Sequence, residues 1–185
     1  MDCSHEMEFI NTVERDTEKA TAIKEHALKD DWVLWAHLPH NTDWSMKSFI
    51  QIDTINTVER VLALNNYIPG EFIQNCMLFY MRKGIDPIWE DPNNCNGGCF
   101  TFKIFNKDVP KLWKDLMCVV SGETLSDDAD FNTTVNGITV SPKRTFCIIK
   151  VWMKTNKYQN FKKIRPLRNL STAGCKFKKH QESYK

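Results

Sequence analysis

At 185 residues the chain falls in the range of one compact domain and can bury a substantial apolar core. Its first residues, Met1-Asp2-Cys3-Ser4-His5-Glu6, show no basic region followed by an apolar stretch, and no run approaches bilayer-spanning length, so a cytoplasmic or nuclear protein that uses no membrane is expected. Seven scattered cysteines suit free thiols better than a disulfide framework, and the net charge of +2 hides an asymmetry: thirteen Lys or Arg and one acid, Glu182, from Ser141 onward, against 12 basic and 22 acidic residues before it.

Residues 1–29 are polar and charged and read as a mobile arm, with a single domain expected over 30–185. Short alternating apolar segments then recur as expected strands: Trp32 to Leu38, Met46 to Ile52, Cys76 to Arg82, Cys99 to Phe105, Val135 to Val140, Phe146 to Met153 and Cys175 to Lys179. Helices are expected over Thr57 to Tyr67, with Asn56 and Glu59 forming a capping box, over Val109 to Val120, and more weakly over Asn156 to Arg165, ending before Pro166. Most gaps are too brief for parallel crossovers. The fold class is therefore α+β: a curved antiparallel sheet of about seven or eight strands with three helices on its convex face and a ligand on the concave side. The alternation in Cys99-Phe100-Thr101-Phe102-Lys103-Ile104-Phe105 supports one buried and one more polar sheet face. Ile-Asn-Thr-Val-Glu-Arg occurs at 10–15 and again at 55–60 with no longer periodicity around it, so it marks no repeat architecture.

Tryptophan is the informative residue type. Trp32, Trp35 and Trp113 sit in apolar or amphipathic segments and read as core. Trp44 and Trp89 lie in polar loops beside acids, where a ring either packs down or serves as a platform for a nucleobase. The five histidines, at 5, 26, 37, 40 and 180, pair with no cysteine or carboxylate at a catalytic or ligand spacing. Cys95-x-x-x-Cys99 lacks a second half, so no metal is expected, nor any cofactor. Gly97-Gly98 reads as a turn between strands rather than a phosphate loop.

One segment is more specific. Gly84-Ile85-Asp86-Pro87-Ile88-Trp89-Glu90-Asp91, followed by Gly97-Gly98-Cys99-Phe100, closely resembles the cap-binding segment of the eukaryotic translation initiation factor 4E family, which reads Gly-Ile-x-Pro-x-Trp-Glu-Asp, then Gly-Gly and an aromatic. Further matches keep the family's order: Trp32-Val-Leu-Trp35, Trp44 in the following loop, Val58-Glu59 opening a helix, Gly122-Glu123 after a helix containing Trp113, and Trp152 on a late strand. The resemblance covers roughly residues 26–154 and marks a divergent member, of the kind that suits an unusual eukaryote or a virus of one.

The resemblance implies recognition of the 7-methylguanosine 5′ cap of messenger RNA in translation initiation. Trp44 and Trp89 would stack on the methylated base, Glu90 would accept hydrogen bonds from the guanine edge, and Trp152 would contact the methyl group. For the cap phosphates it points to Lys143. The second basic position falls on Ile148, which leaves Lys150 and Arg144 as substitutes, while Cys99 stands where the family commonly has arginine. The partner-binding face implied by the resemblance comprises His26, Val58, Leu62 and Trp113, for a scaffold of the initiation factor 4G type or a repressor bearing Tyr-x-x-x-x-Leu. Leu62 replaces the tryptophan that grips such peptides, and His26-Ala27 departs from the expected His-Pro pair, so an unusual partner or weakened binding is expected.

The chain is expected to be a monomer and not an enzyme. A cap hydrolase would need metal-binding carboxylates, for which the acidic pairs Glu90-Asp91 and Asp127-Asp128 are the candidates. The competing reading is an interaction protein, repressor or decoy of the same fold with altered partner binding.

Overall fold

The structure is a computed structural model that describes residues 25–170 and 174–180; most of the expected N-terminal arm lies outside the described residues. Seven strands form one sheet: β1 (Ala27–His37), β2 (Phe49–Thr57), β3 (Met77–Arg82), β4 (Gly98–Phe105), β5 (Val135–Pro142), β6 (Phe146–Met153) and β7 (Lys176–Lys179). Their spatial order is β2-β1-β3-β5-β6-β4-β7, and every neighbouring pair is antiparallel. Among the described residues four α-helices accompany them: α1 (Val58–Tyr67), α2 (Gly70–Asn75), α3 (Val109–Ser121) and α4 (Ala129–Thr133).

The period of two sorts side chains onto the two faces. Phe100, Phe102 and Ile104 of β4, with Ile149 and Val151 of β6, turn toward the helices and join Val61, Phe72, Trp113 and Phe131 in the main core. The stripe Leu112, Trp113, Leu116, Met117 and Val120 gives α3 its buried face, each side chain contributing about 1.5–3 kcal/mol relative to exposure. Trp32 stacks on Tyr80 at 5.0 Å and so ties β1 to β3 within this core. A second, smaller cluster occupies the opposite, concave face. Phe49, Phe79, Met81 and Trp152 form it, with Trp35 and Trp89 packed against them.

Several expectations need correction. Met46–Ser48 form a 3-10 turn, closed by bonds from the Ser48 N–H (3.0 Å) and hydroxyl (2.8 Å) to the Ser45 carbonyl, so β2 starts only at Phe49. The cap of α1 is Thr57, whose hydroxyl accepts from the Arg60 N–H at 3.2 Å, rather than Asn56. Glu59 does not reach back to close a capping box, because His26 holds its carboxylate.

Residues 156–165 make turns and a single 3-10 turn, Phe161–Lys163, instead of a helix. Tyr158, Phe161 and Ile164 are too few to bury a continuous stripe, and Lys157 and Lys163 reach across to Asp130 and Asp128. The helices α2 and α4, six and five residues long, are too short to leave a periodic signal. Among the described residues no helix is long and apolar enough to cross a membrane.

Candidate functional site

A cleft of about 420 Å³ opens on the concave face, walled by residues far apart in the sequence: Trp44, Trp89, Glu90, Lys150, Trp152 and His180. Phe49 and Phe79 make its floor. Each wall comes from a different loop or strand, and each is held by its own local bonds.

Trp44 sits in the loop between β1 and β2. Asp43 accepts from the Ser45 N–H (2.8 Å) and hydroxyl (3.0 Å), and Asn41 accepts from the Asp43 N–H at 2.9 Å. The bond from the Ser45 N–H is the main reason the Asp43 carboxyl lies below its usual pKa. His37, buried at the end of β1, donates from Nε2 to the Asp43 carbonyl at 2.8 Å and lies flat behind the indole, 4.2 Å away and only 4° out of parallel. One face of Trp44 is thus supported while 56% of the residue remains exposed.

Trp89 and Glu90 project from the loop between β3 and β4, and two buried polar side chains knot that loop. Asp91 accepts from the N–H groups of Asp86 (2.9 Å) and Asn93 (2.7 Å), and the Asn94 amide donates to the carbonyls of Asp86 (3.0 Å) and Ile88 (2.8 Å). From the neighbouring strand β5, the Asn136 amide donates to the Asn93 carbonyl and to the Asn94 side chain. Asp91 therefore serves as a backbone anchor, and the exposed Glu90 is the acid that faces the cleft. At Gly97 an added Cβ would fall 1.8 Å from the Met153 carbonyl oxygen, and at Gly98 2.5 Å from that of Lys178. Neither position has room for a side chain against the neighbouring backbone, a packing demand rather than a phosphate-binding one.

Trp152 and Lys150 lie on the same face of β6, two residues apart. The Trp152 indole N–H donates to the Thr139 hydroxyl at 2.7 Å, which fixes the ring across β5. Cross-strand register places Cys99 between Trp152 and Lys178, and Thr101 between Lys150 and Lys176. Lys178 lines the cleft with Lys150. His180 packs against Trp152 with ring centres 4.9 Å apart, and its Nδ1–H donates to the Asn94 carbonyl at 2.8 Å. Burial lowers the His180 pKa below the usual imidazole range, and the charges of Lys150 and Lys178 act in the same direction.

The cleft therefore gathers Trp44, Trp89, Glu90, Trp152 and Lys150 from the expected set. Lys143 and Arg144 stay outside it, exposed on the turn between β5 and β6, at the far end of β6 from Trp152. Sequence reasoning missed His37, Lys178 and His180. The signal was present in their spacing, since His37 shares a strand face with Trp35, and Lys178 with His180, but neither histidine has a sequence neighbour that betrays it.

On the opposite side of the molecule, Val58 and Leu62 of α1 are 41% and 52% exposed. Beside them His26 donates through its N–H (2.9 Å) and Nδ1 (2.6 Å) to the two oxygens of Glu59, whose pKa falls to about 2 chiefly for that reason. Trp113, expected on the same face, is fully buried and supports it from beneath without presenting a surface. The acids Asp127 and Asp128 are paired with Arg165 and Lys163, and among the described residues no group of three metal-binding side chains occurs.

These features define a class: an α+β domain with an aromatic, lysine-flanked cleft on the concave face of an antiparallel sheet. The family described as eukaryotic initiation factor 4E matches residues 27–185. A translation initiation factor 4E of Eremothecium gossypii is 30% identical over 160 residues, covering 83% of this chain and 70% of that one. A 4E homolog of Acanthamoeba polyphaga mimivirus is 49% identical over 61 residues, 33% of this chain and 22% of the viral protein. The chain spans 62% of the length of the Saccharomyces cerevisiae factor, at 28% identity. Among solved structures, C. elegans eIF4E-3 with the 4E-binding protein Mextli and a cap analog superposes with a TM-score of 0.71 at 19% identity, covering 86% of this chain and 95% of that one. Schistosome eIF4E complexed with m7GpppG and 4E-BP gives 0.66 at 22% identity, covering 73% and 75%. The chain belongs to the eukaryotic initiation factor 4E family, as a divergent member.

Proposed function

We propose that the chain binds the 7-methylguanosine 5′ cap of messenger RNA and so recruits or controls messages in translation initiation. One observation carries the reading: two loop tryptophans, an exposed carboxylate and a strand tryptophan, from residues 44, 89, 90 and 152, line a single cleft of about 420 Å³. Trp44 and Trp89 stack on the two faces of the base. Methylation makes that base cationic, and a cation gains about 0.5–2 kcal/mol from each aromatic face, so the methylated form is preferred by about a hundredfold. Glu90 accepts from two donors on the guanine edge, a contact adenine cannot make. The backbone N–H of Trp89 donates to the guanine carbonyl oxygen, and Trp152 lines the methyl group.

Lys150 takes the first phosphates. Lys178, opposite Cys99 in register, supplies from β7 the charge that the family commonly places as arginine at the Cys99 position. Lys143 and Arg144 meet phosphate further along. A single domain does this, and its first strand begins at Ala27, ahead of the expected boundary at residue 30. The chain is a binder rather than a cap hydrolase: Asp91 is engaged by backbone amides, and Asp127 and Asp128 by cations. Relatives described with a cap analog and with 4E-binding proteins support capped RNA as ligand and a protein partner of scaffold type on the face of His26, Val58 and Leu62.

The test is quenching of tryptophan fluorescence by 7-methyl-GTP and, separately, by GTP. Saturable quenching with strong preference for the methylated nucleotide is expected. Equal or absent quenching overturns the reading.

A further inference from the structure

The concave face continues past the cleft. Antiparallel register places side chains of β4, β6 and β7 in rows that share one face: Trp152, Cys99 and Lys178; then Lys150, Thr101 and Lys176; then Ile148 beside Lys103; then Phe146 beside Phe105. These rows hold four lysines and no carboxylate. The strip ends on two aromatic rings. Phe105 is 69% exposed, and the Lys103 ammonium lies over the Phe146 ring, 4.2 Å from its centre. From Trp152 to Phe146 the strand advances six residues, about 20 Å at ~3.3 Å each, well beyond the reach of a triphosphate bridge that starts at the cleft.

A run of cations closed by exposed aromatic rings suits a single-stranded nucleic acid: lysines meet successive phosphates, and rings stack bases regardless of sequence. A core function is excluded for Phe105, since most of its surface stands in solvent. We propose that Lys103, Phe105 and Phe146 form a second site for RNA, which holds the first nucleotides downstream of the cap. The inference rests on the cap-binding reading for its direction, because it takes the RNA to leave the cleft past Lys150. An acidic peptide would use the lysines but would gain little from flat rings, so RNA is the better fit.

The test compares three probes on the full chain: 7-methyl-GTP, a capped RNA of about ten nucleotides, and the same RNA uncapped. The capped RNA is expected to bind about tenfold more tightly than 7-methyl-GTP, one stacked base being sufficient for that factor. In the double variant Lys103→Gln, Phe105→Ala that advantage disappears while affinity for 7-methyl-GTP is unchanged, which also shows that the variant is folded. The slope of log affinity against log salt falls by about 0.7 for the lost lysine contact. A capped RNA that binds no better than 7-methyl-GTP, or an advantage that survives the double variant, overturns the proposal. Absence of 7-methyl-GTP binding by the parent refutes the cap reading instead, and the uncapped RNA then tests the strip alone: salt-sensitive binding lost in the double variant upholds it, and binding indifferent to the variant overturns it.

Discussion

Replacing Trp44 by alanine isolates one wall of the cleft. The indole rests one face on His37 at 4.2 Å and keeps 56% of its surface exposed, so its removal takes little from the core. Folding stability should therefore shift by less than about 1 kcal/mol. Binding should suffer far more. A base stacked on an aromatic ring contributes about 1–3 kcal/mol, and the charge of the methylated base adds about 0.5–2 kcal/mol per face. A middle value of about 3 kcal/mol corresponds to affinity for 7-methyl-GTP weaker on the order of a hundredfold. Unmethylated GTP loses only the stacking share, so the preference for the methylated form should drop by about tenfold. Isothermal titration calorimetry measures both without relying on the deleted fluorophore. An affinity within about threefold of the parent, with an unchanged urea midpoint, would refute the assignment of Trp44 as a stacking wall.

Leu62→Trp on the exposed face of α1 should raise affinity for a Tyr-x-x-x-x-Leu peptide by about tenfold in fluorescence anisotropy, because indole surface is a frequent anchor of such interfaces. Nanomolar binding of that peptide by the parent chain would contradict the weakening expected from Leu62. His180 gives a pH signature whose sign follows from its lowered pKa. Well above the ordinary imidazole pKa of about 6.5 it is neutral whether folded or not; as pH falls through that range the unfolded chain takes up a proton that the folded chain resists, so stability is lost toward acid. Urea midpoints at about pH 5 and about pH 7.5 should differ less in His180→Gln than in the parent. Gly97→Ala forces a methyl group to within 1.8 Å of the Met153 carbonyl oxygen and should cost more than about 2 kcal/mol in urea denaturation.

The sheet was legible because its faces differ in polarity. Alternation shows in β4, β6 and β7, whereas β3 and β5 are buried almost continuously, and α3 shows a clear apolar stripe. What failed to register was local and polar. A hydroxyl at Thr57 opens a helix one residue later than Asn56 would, and a single carboxylate, Asp91, knots a loop through backbone amides that leave no pattern in the sequence. At the cleft, Trp44 and Trp89 stood out as rings in polar loops beside acids, and Glu90 and Trp152 through the resemblance to the initiation factor 4E family. Lys178 and His180 did not, since pairing of a late four-residue strand beside β4 is a tertiary fact. Trp113 was legible as core from its apolar helix, and its complete burial keeps it from presenting a surface on the partner face that the resemblance implies.

The strand β7 has a second consequence, unrelated to ligands. Among the described residues it lies at one edge of the sheet and consists of Lys176, Phe177, Lys178 and Lys179, a segment that is short and densely charged. Two such edges brought together would set like charges side by side, which discourages strand addition between molecules. Neutralising these lysines should therefore make the protein stick to itself at high concentration, and a fall in solubility would precede any loss of fold.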